Sequence, residues 1–224
     1  MTLGELIVKV NYALRSLDDD PPTEGTEEYT YWLSLYNSKK NELYEDVTKN
    51  WASAYSVESL GLVTVDSTPS FNLGAEFLAA ANQAYILKLD GNKTYIPLIK
   101  PNEAETKSGM YIAGYNPQVA YLTDAVTADQ DIVGGTLYLP GYFLPADLTT
   151  ETDDINVPDP NWAVAAVAAE VAFADLSYED RSEALNSKAN MLYNLMVKKN
   201  RRGTYGEPRI TPTRVHRIRG TEVN

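Results

Sequence analysis

DPNWAVAAVAAEVAFADLSYEDRSEALNSKANMLYNLM, residues 159–196, predicts two consecutive helices joined by a short turn. Asp159 can cap the first helix, and Pro160 suits its first position. Ser177 and Asp180 stand in capping-box spacing before the second helix, which Gly203 is predicted to end. The many alanines of the first helix allow another helix to approach closely. The predicted apolar stripes comprise Val164, Val167 and Val171 in the first helix and Leu185, Ala189, Leu192 and Met196 in the second.

Two further helices are predicted at the N-terminal end of the chain. The first is ended by the acidic and proline-containing residues 18–22, and its stripe is Leu3, Leu6, Ile7, Val10, Leu14 and Leu17. The second is predicted from a cap at Thr26 to about Trp51. Its expected apolar face consists of Tyr29, Trp32, Leu33, Tyr36, Leu43, Val47 and Trp51. Lys39, Lys40, Glu42 and Glu45 are expected to lie off that face.

Between residues 54 and 158 the apolar period falls towards two, and glycine, proline, threonine and tyrosine become frequent. This pattern predicts antiparallel strands in three hairpins. Their turns are expected at residues 90–92, at Asn116 and Pro117, and at Pro140 and Gly141. Tyr85, Leu87 and Leu89 alternate along the first hairpin, and Pro97 places its returning strand at an edge or a bulge. Residues 76–84 are ambiguous, and we favour a short helix there.

The predicted fold class is therefore α+β. A bundle of three to four helices carries an inserted antiparallel β domain and an extended C-terminal arm. The expected divisions are residues 1–53 for the N-terminal helices, 54–158 for the β domain, 159–202 for the C-terminal helix pair, and 203–224 for the arm.

Charge is distributed unevenly along the 224 residues, whose formal net charge is −12. Residues 198–224 hold eight Lys/Arg and two Asp/Glu, which gives a net charge of +6. Residues 1–197 hold eleven Lys/Arg and twenty-nine Asp/Glu, which gives −18. A basic chain end on an acidic body indicates that this end seeks a negative surface, either nucleic acid or the acidic body of a neighbouring copy.

The basic end can be interpreted in two ways. Clustered bases with Tyr205 and His216 would suit a nucleic-acid backbone, so a nucleic-acid-binding protein is one alternative. The alternation of basic and apolar residues instead suits a strand that docks on another protein. We favour the docking arm, because phosphate binding alone does not need regularly placed aliphatic residues. The predicted docking residues are Arg209, Ile210, Arg214, Val215, Arg217, Ile218 and Arg219.

The sequence offers little catalytic chemistry, so we predict no enzyme, no cofactor and no metal site. There are no cysteines, and the single histidine, His216, stands among arginines without a carboxylate to orient it. The acid-rich residues 151–160 lack the glycine and distal glutamate of an EF-hand loop. Thirty-one acidic residues make candidate carboxylate pairs for glycoside hydrolysis uninformative. Eight tyrosines between residues 54 and 158 could stack on sugars, although packing across a sheet is commoner.

The layout resembles that of the head-to-tail connector (adaptor) proteins of tailed bacteriophages. The resemblance is clearest in residues 159–196, where an alanine-rich helix with Glu170, a turn at residues 175–178 and a helix ending in ANMLYNLM follow one another. It implies a structural virion protein of the neck, made in the host cytoplasm. It further implies a ring, usually of twelve copies, that docks on the portal through the C-terminal arm and contacts a downstream tail protein. DNA would pass through the channel without sequence-specific binding, and no membrane would be involved.

Six residues are expected to pack within the bundle or between subunits: Trp32, Tyr36, Val164, Val167, Val171 and Leu192. The β insertion of about a hundred residues departs from the smallest connectors of long-tailed phages, which are almost all helix. The tail type and the contacts of the β domain therefore remain open at the level of sequence.

Overall fold

The computed structural model describes residues 1–15, 19–46, 51–64, 69–81, 83–114 and 118–204, with the backbone alone at 176 and 201–204. Within these ranges the fold is α+β, with eight strands in two antiparallel sheets placed between N-terminal and C-terminal helices. The helices are α1 (Leu3–Leu14), α2 (Glu27–Glu45), α3 (Asp124–Thr127), α4 (Pro160–Ala174) and α5 (Glu179–Thr204).

The predicted stripe of α1 is confirmed over the described residues and faces the other long helices. Leu3, Leu6, Ile7, Val10 and Leu14 are each at most 1% exposed. A capping box closes the start of the helix, in which Thr2 and Glu5 bond to each other's backbone amides. Helices α1 and α2 both pack on α4, which also packs along α5. The four long helices thereby share one apolar core.

Helix α2 begins as predicted but ends earlier than expected. The Thr26 hydroxyl accepts a hydrogen bond from the Tyr29 amide and caps the helix. The helix ends at Glu45 and does not reach Trp51. Trp51 is nevertheless buried, because its indole N–H turns back and donates to the Leu43 carbonyl at 2.9 Å. Residues Leu17 and Val47 of the predicted stripes lie outside the described residues.

The C-terminal helix pair is confirmed, with two corrections to its boundaries. Asp159 caps α4 by accepting from the Asn161 amide at 3.0 Å. The predicted start of the second helix at Ser177 is wrong, because Asp175 instead caps a short 3-10 turn, Leu176–Tyr178, that precedes α5. Helix α5 also continues through Gly203 to Thr204, so that glycine does not end it.

The larger sheet has the strand order β1-β8-β4-β5, and β3 also pairs with β8. The smaller sheet has order β2-β7-β6. The strands are β1 (Tyr55–Leu62), β2 (Ser70–Asn72), β3 (Phe77–Ala80), β4 (Gln83–Leu87), β5 (Lys93–Pro97), β6 (Met110–Ala113), β7 (Val119–Leu122) and β8 (Thr136–Phe143). A second apolar core lies among these strands.

The first predicted hairpin is confirmed, and its buried face is the one opposite the alternating Tyr85, Leu87 and Leu89. Strands β4 and β5 pair across a turn in which Gly91 has φ +84° and the Asp90 carboxylate accepts from the Asn92 amide. Ala84 and Ile86 are fully buried, whereas Leu89 is 85% exposed. Strand β5 ends the strand order, as the proline at its end predicted.

Two other expectations for the β region are wrong, and one is partly tested. Residues 76–84 contribute to β3 and β4 and do not form a helix. Pro140 and Gly141 do not form a turn, because β8 runs straight through them. The second hairpin is present as the β6–β7 pair, and its predicted turn at Asn116 and Pro117 lies outside the described residues.

The close approach of β3 explains why β8 contains a glycine at position 141. A Cβ at this position would lie 2.8 Å from the Ala79 carbonyl oxygen, so only glycine allows β3 to pair this closely. Pro140 is tolerated because its carbonyl accepts from the Ala81 amide just past the end of β3. In antiparallel pairing the N–H and C=O of one residue face the same neighbour, so the missing proline N–H does not weaken the pairing with β1.

Candidate docking surfaces

The predicted docking arm lies outside the described residues, and this holds for Arg209, Ile210, Arg214, Val215, Arg217, Ile218 and Arg219. The described chain ends in helix α5, and residues 205–224 follow that helix in the sequence. Near the end of α5, the Asn200 side chain accepts from the Ala52 amide at 3.4 Å. About two turns of helix earlier, the rings of Tyr193 and Trp51 meet edge to face. The C-terminal part of α5 therefore lies close to the start of β1.

The residues expected to pack in the bundle or between subunits lie in the helical core of the chain itself. Trp32, Tyr36, Val167 and Val171 are at most 5% exposed. Val164 and Leu192 are partly buried and pack against the same core. The Arg15 guanidinium lies 5.6 Å from the centre of the Trp32 ring. The four buried residues therefore present almost no surface to a second subunit.

The segment that returns from β8 to α4 is fastened to α2 by tyrosine hydroxyls. Tyr36 donates to the Asn156 side-chain oxygen at 2.8 Å, and Tyr44 donates to the Asn156 carbonyl at 2.6 Å. Burial raises the pKa of Tyr36 well above its usual value, and it also raises the pKa of Tyr44. Both hydroxyls therefore stay protonated donors at neutral pH.

Lys40 was expected on the solvent side of α2, and the structure overturns this. Its side chain is fully buried, and its ammonium donates to the Pro145 carbonyl at 2.7 Å and to the Asp147 carboxylate at 2.6 Å. A buried lysine needs such partners because an unpaired charge in the interior is costly. No local pattern around Lys40 signals this role, because its partners lie more than a hundred residues later in the chain.

An acidic groove lies beside the Lys40–Asp147 contact, where the larger sheet meets α2. It encloses about 690 Å³, and its lining includes the carboxylates of Glu58, Glu76 and Asp147 but no lysine or arginine. Asn41 lines the same groove. The groove thus favours positively charged groups, although an acidic cluster alone does not define a binding site.

Five of the eight tyrosines counted in the β region lie on the outer face of the larger sheet. We call these residues the tyrosine face: Tyr55, Tyr85, Tyr95, Tyr138 and Tyr142. Registered pairs place Tyr95 opposite Tyr85, Tyr85 opposite Tyr138, and Tyr142 opposite Tyr55. The Tyr85 and Tyr138 rings stack with centres 5.2 Å apart, and the Tyr55 and Tyr142 rings meet at 5.7 Å.

The opposite side of the same strands forms the β core. Ala84, Ile86, Leu137 and Leu139 are fully buried there. On the tyrosine face, by contrast, Tyr95 is 58% exposed and Tyr55 is 48% exposed. Tyr55 and Tyr95 therefore pack across the sheet and meet solvent at the same time, whereas Tyr142 also packs against the helical core. Their number is evident from the sequence, but their common face depends on strand register.

Acidic residues of the loop before α4 have structural roles. The Asp153 carboxylate accepts from the Thr149 and Thr150 amides, and these hydrogen bonds lower its pKa.

In the described ranges no group of three or more histidines or carboxylates is arranged to hold a metal ion. His216 lies outside those ranges. None of the helices that the structure describes combines the length and apolar character needed to span a bilayer.

Comparison with known proteins adds no further constraint, since neither a family model nor a curated protein matches this chain.

Proposed function

We propose that this chain is a structural virion protein that forms a ring and joins the portal of a phage head to the tail. The observation that carries the proposal is the order of elements around one core. Two N-terminal helices and a C-terminal pair share that core, and both sheets lie between them in the chain. The four long helices act as the bundle of the connector proteins that the sequence resembles, and the virion neck is the location that this resemblance implies.

The charge distribution supports docking through the C-terminal arm. The four arginines at 209, 214, 217 and 219 stand among aliphatic residues in the segment that follows α5, whose C-terminal part lies beside the start of β1. An arginine fork can pair with a carboxylate through two hydrogen bonds. One exposed pair contributes less than about 1 kcal/mol, but several pairs in each arm, repeated around a ring of twelve copies, add up by avidity.

The acidic body suits the channel of such a ring. With a net charge of −18 over residues 1–197, its surface repels DNA and so lets DNA pass without adhesion. The portal binds the arm, and a downstream tail protein completes the neck. No enzymatic step is part of this role.

Removal of the arm tests the proposal directly. We expect a chain truncated after Arg202 to remain folded by circular dichroism and to lose binding to tail-less heads that carry the portal ring. A chain that lacks only residues 220–224 keeps all four arginines of the arm and serves as the matched control, which should still bind. Binding can be measured by co-sedimentation with the heads. Unchanged binding of the chain truncated after Arg202, or no binding by the full chain, would contradict the proposal.

The same chains separate this role from nucleic-acid binding. If the arm were a DNA-binding element, the full chain would bind duplex DNA with a steep salt dependence, and the truncation would abolish that binding. We expect only weak, sequence-independent DNA binding that leaves head binding unaffected.

A further inference from the structure

The outer side of the larger sheet is an aromatic surface with almost no charge. Its paired positions include the tyrosine face together with Val57, Pro140 and the 63% exposed Leu62. Among the paired positions on this side, Lys93 carries the one charged side chain, and its ammonium lies 4.4 Å from the centre of the Tyr85 ring. A body with twenty-nine acidic residues in 197 thus presents one sheet side that has no carboxylate at its paired positions.

A surface of this composition is typical of the centre of a protein interface. Tyrosine is enriched at interface centres, where charged residues are depleted, because burying its ring costs little side-chain entropy. Sugar binding fits less well, since ligand sites are concave and carry a few placed polar groups. The paired positions here belong to a continuous sheet, and most are aromatic or aliphatic.

We propose that the tyrosine face is the contact through which one copy of the chain packs against a second copy in the ring. This inference rests on the proposed function, which requires copies of an acidic protein to sit side by side. Two bodies of net charge −18 repel each other wherever their carboxylates approach within about a Debye length, ~8 Å at physiological ionic strength. The sheet side without carboxylates removes that obstacle on one of the two partners, and Lys93 attracts the acidic surface of the other.

The size of the face predicts a weak contact that a ring strengthens. Four strands about 4.8 Å apart, with same-face residues about 6.7 Å apart along each, outline roughly 300 Å². A standard interface buries about 800 Å² on each partner. The tyrosine face therefore supplies the central part of an interface, and its surroundings must supply the rim. A pair of copies is expected to associate with a dissociation constant on the order of 10–100 µM, and ring closure adds a second contact for each copy.

Sedimentation velocity of the full chain over a concentration series tests this contact. We expect Tyr95→Asp to weaken self-association by about tenfold or more, because it places a carboxylate at the most exposed tyrosine of the contact. Met191→Asp is the matched control. Met191 is 56% exposed, close to the 58% of Tyr95, and it lies on helix α5 and not on the larger sheet, so this variant should associate like the wild type. Equal behaviour of the two variants, or a wild-type chain that stays monomeric up to about 1 mM, would overturn the inference.

A second measurement covers the case in which Tyr95→Asp disturbs the sheet. Because the chain has no cysteine, Tyr95→Cys and Met191→Cys each create one site for a nitroxide spin label. Addition of unlabelled wild-type chain should immobilise the label at 95 and leave the label at 191 mobile. If self-association occurs while the label at 95 keeps its mobility, another surface makes the contact. If the full wild-type chain self-associates but does not bind heads, that result contradicts the proposed function and leaves this contact standing.

Discussion

Tyr29 and Tyr36 are both buried on α2, yet their hydroxyls differ. Tyr36 donates to Asn156, whereas the Tyr29 hydroxyl has no hydrogen-bond partner among the described residues. Burial, reinforced by the negative charge of Glu151, raises the pKa of Tyr29 to about 12. A buried polar group without a partner opposes folding, so its removal need not cost stability.

We therefore predict opposite results for two matched substitutions. Tyr29→Phe should leave the free energy of unfolding unchanged or raise it by up to about 1 kcal/mol, because it removes a desolvated hydroxyl. Tyr36→Phe should lower it by about 1–2 kcal/mol, because it removes a donor from the Asn156 side chain. Urea unfolding followed by fluorescence measures both values. Equal losses in the two variants would show that the Tyr29 hydroxyl has a partner after all.

At the scale of elements, Gly141 allows strands β8 and β3 to pair closely. Gly141→Ala should lower the free energy of unfolding by about 2 kcal/mol or more, because the new methyl group meets the Ala79 carbonyl at 2.8 Å. Gly4→Ala is the control, since its Cβ would lie 3.4 Å from Glu151 in ordinary contact and would favour helix α1. Thermal unfolding of both variants checks the pair. A Gly141→Ala protein as stable as the wild type would show that β3 moves away at little cost.

The elements that the sequence predicted well are those specified by local chemistry. The caps Thr26 and Asp159 and the apolar stripes of the helices depend on residues a few positions apart. The turn at residues 90–92 is likewise local. These features define the order of helices, the existence of the sheets and the edge position of β5.

Long-range contacts explain most of the remaining errors. Pro140 and Gly141 have the composition of a turn, and their place within β8 depends on the approach of β3. Lys40 has the pattern of a surface residue, and its burial depends on the return of Pro145 and Asp147. The tyrosine face depends on the register of four strands. The arm residues stay predictions, because they lie outside the described part of the chain.

For the whole molecule, the dominant electrostatic property is the excess of acidic residues. Like-charge repulsion within a body of net charge −18 opposes the compact state, and salt screens it. The melting temperature of the chain should therefore rise by a few degrees between about 10 and 500 mM sodium chloride. Choline chloride should give the same rise if screening is the cause. A fall in melting temperature, or a response to sodium alone, would contradict this account.

Backbone hydrogen bonds join the start of α1 to the segment before α4, and they affect the order in which the chain can fold during synthesis. The Leu3 amide donates to the Asp153 carbonyl, and the Ile155 amide donates to the Met1 carbonyl. At roughly 5–20 residues per second, a ribosome needs roughly 10–30 s to extend the chain from the end of α2 to the end of α5. During that interval the apolar stripe of α1 has emerged without α4 to cover it, while both sheets, contiguous in sequence, can already form. The nascent N-terminal segment is therefore the part of this protein that most needs protection by a chaperone.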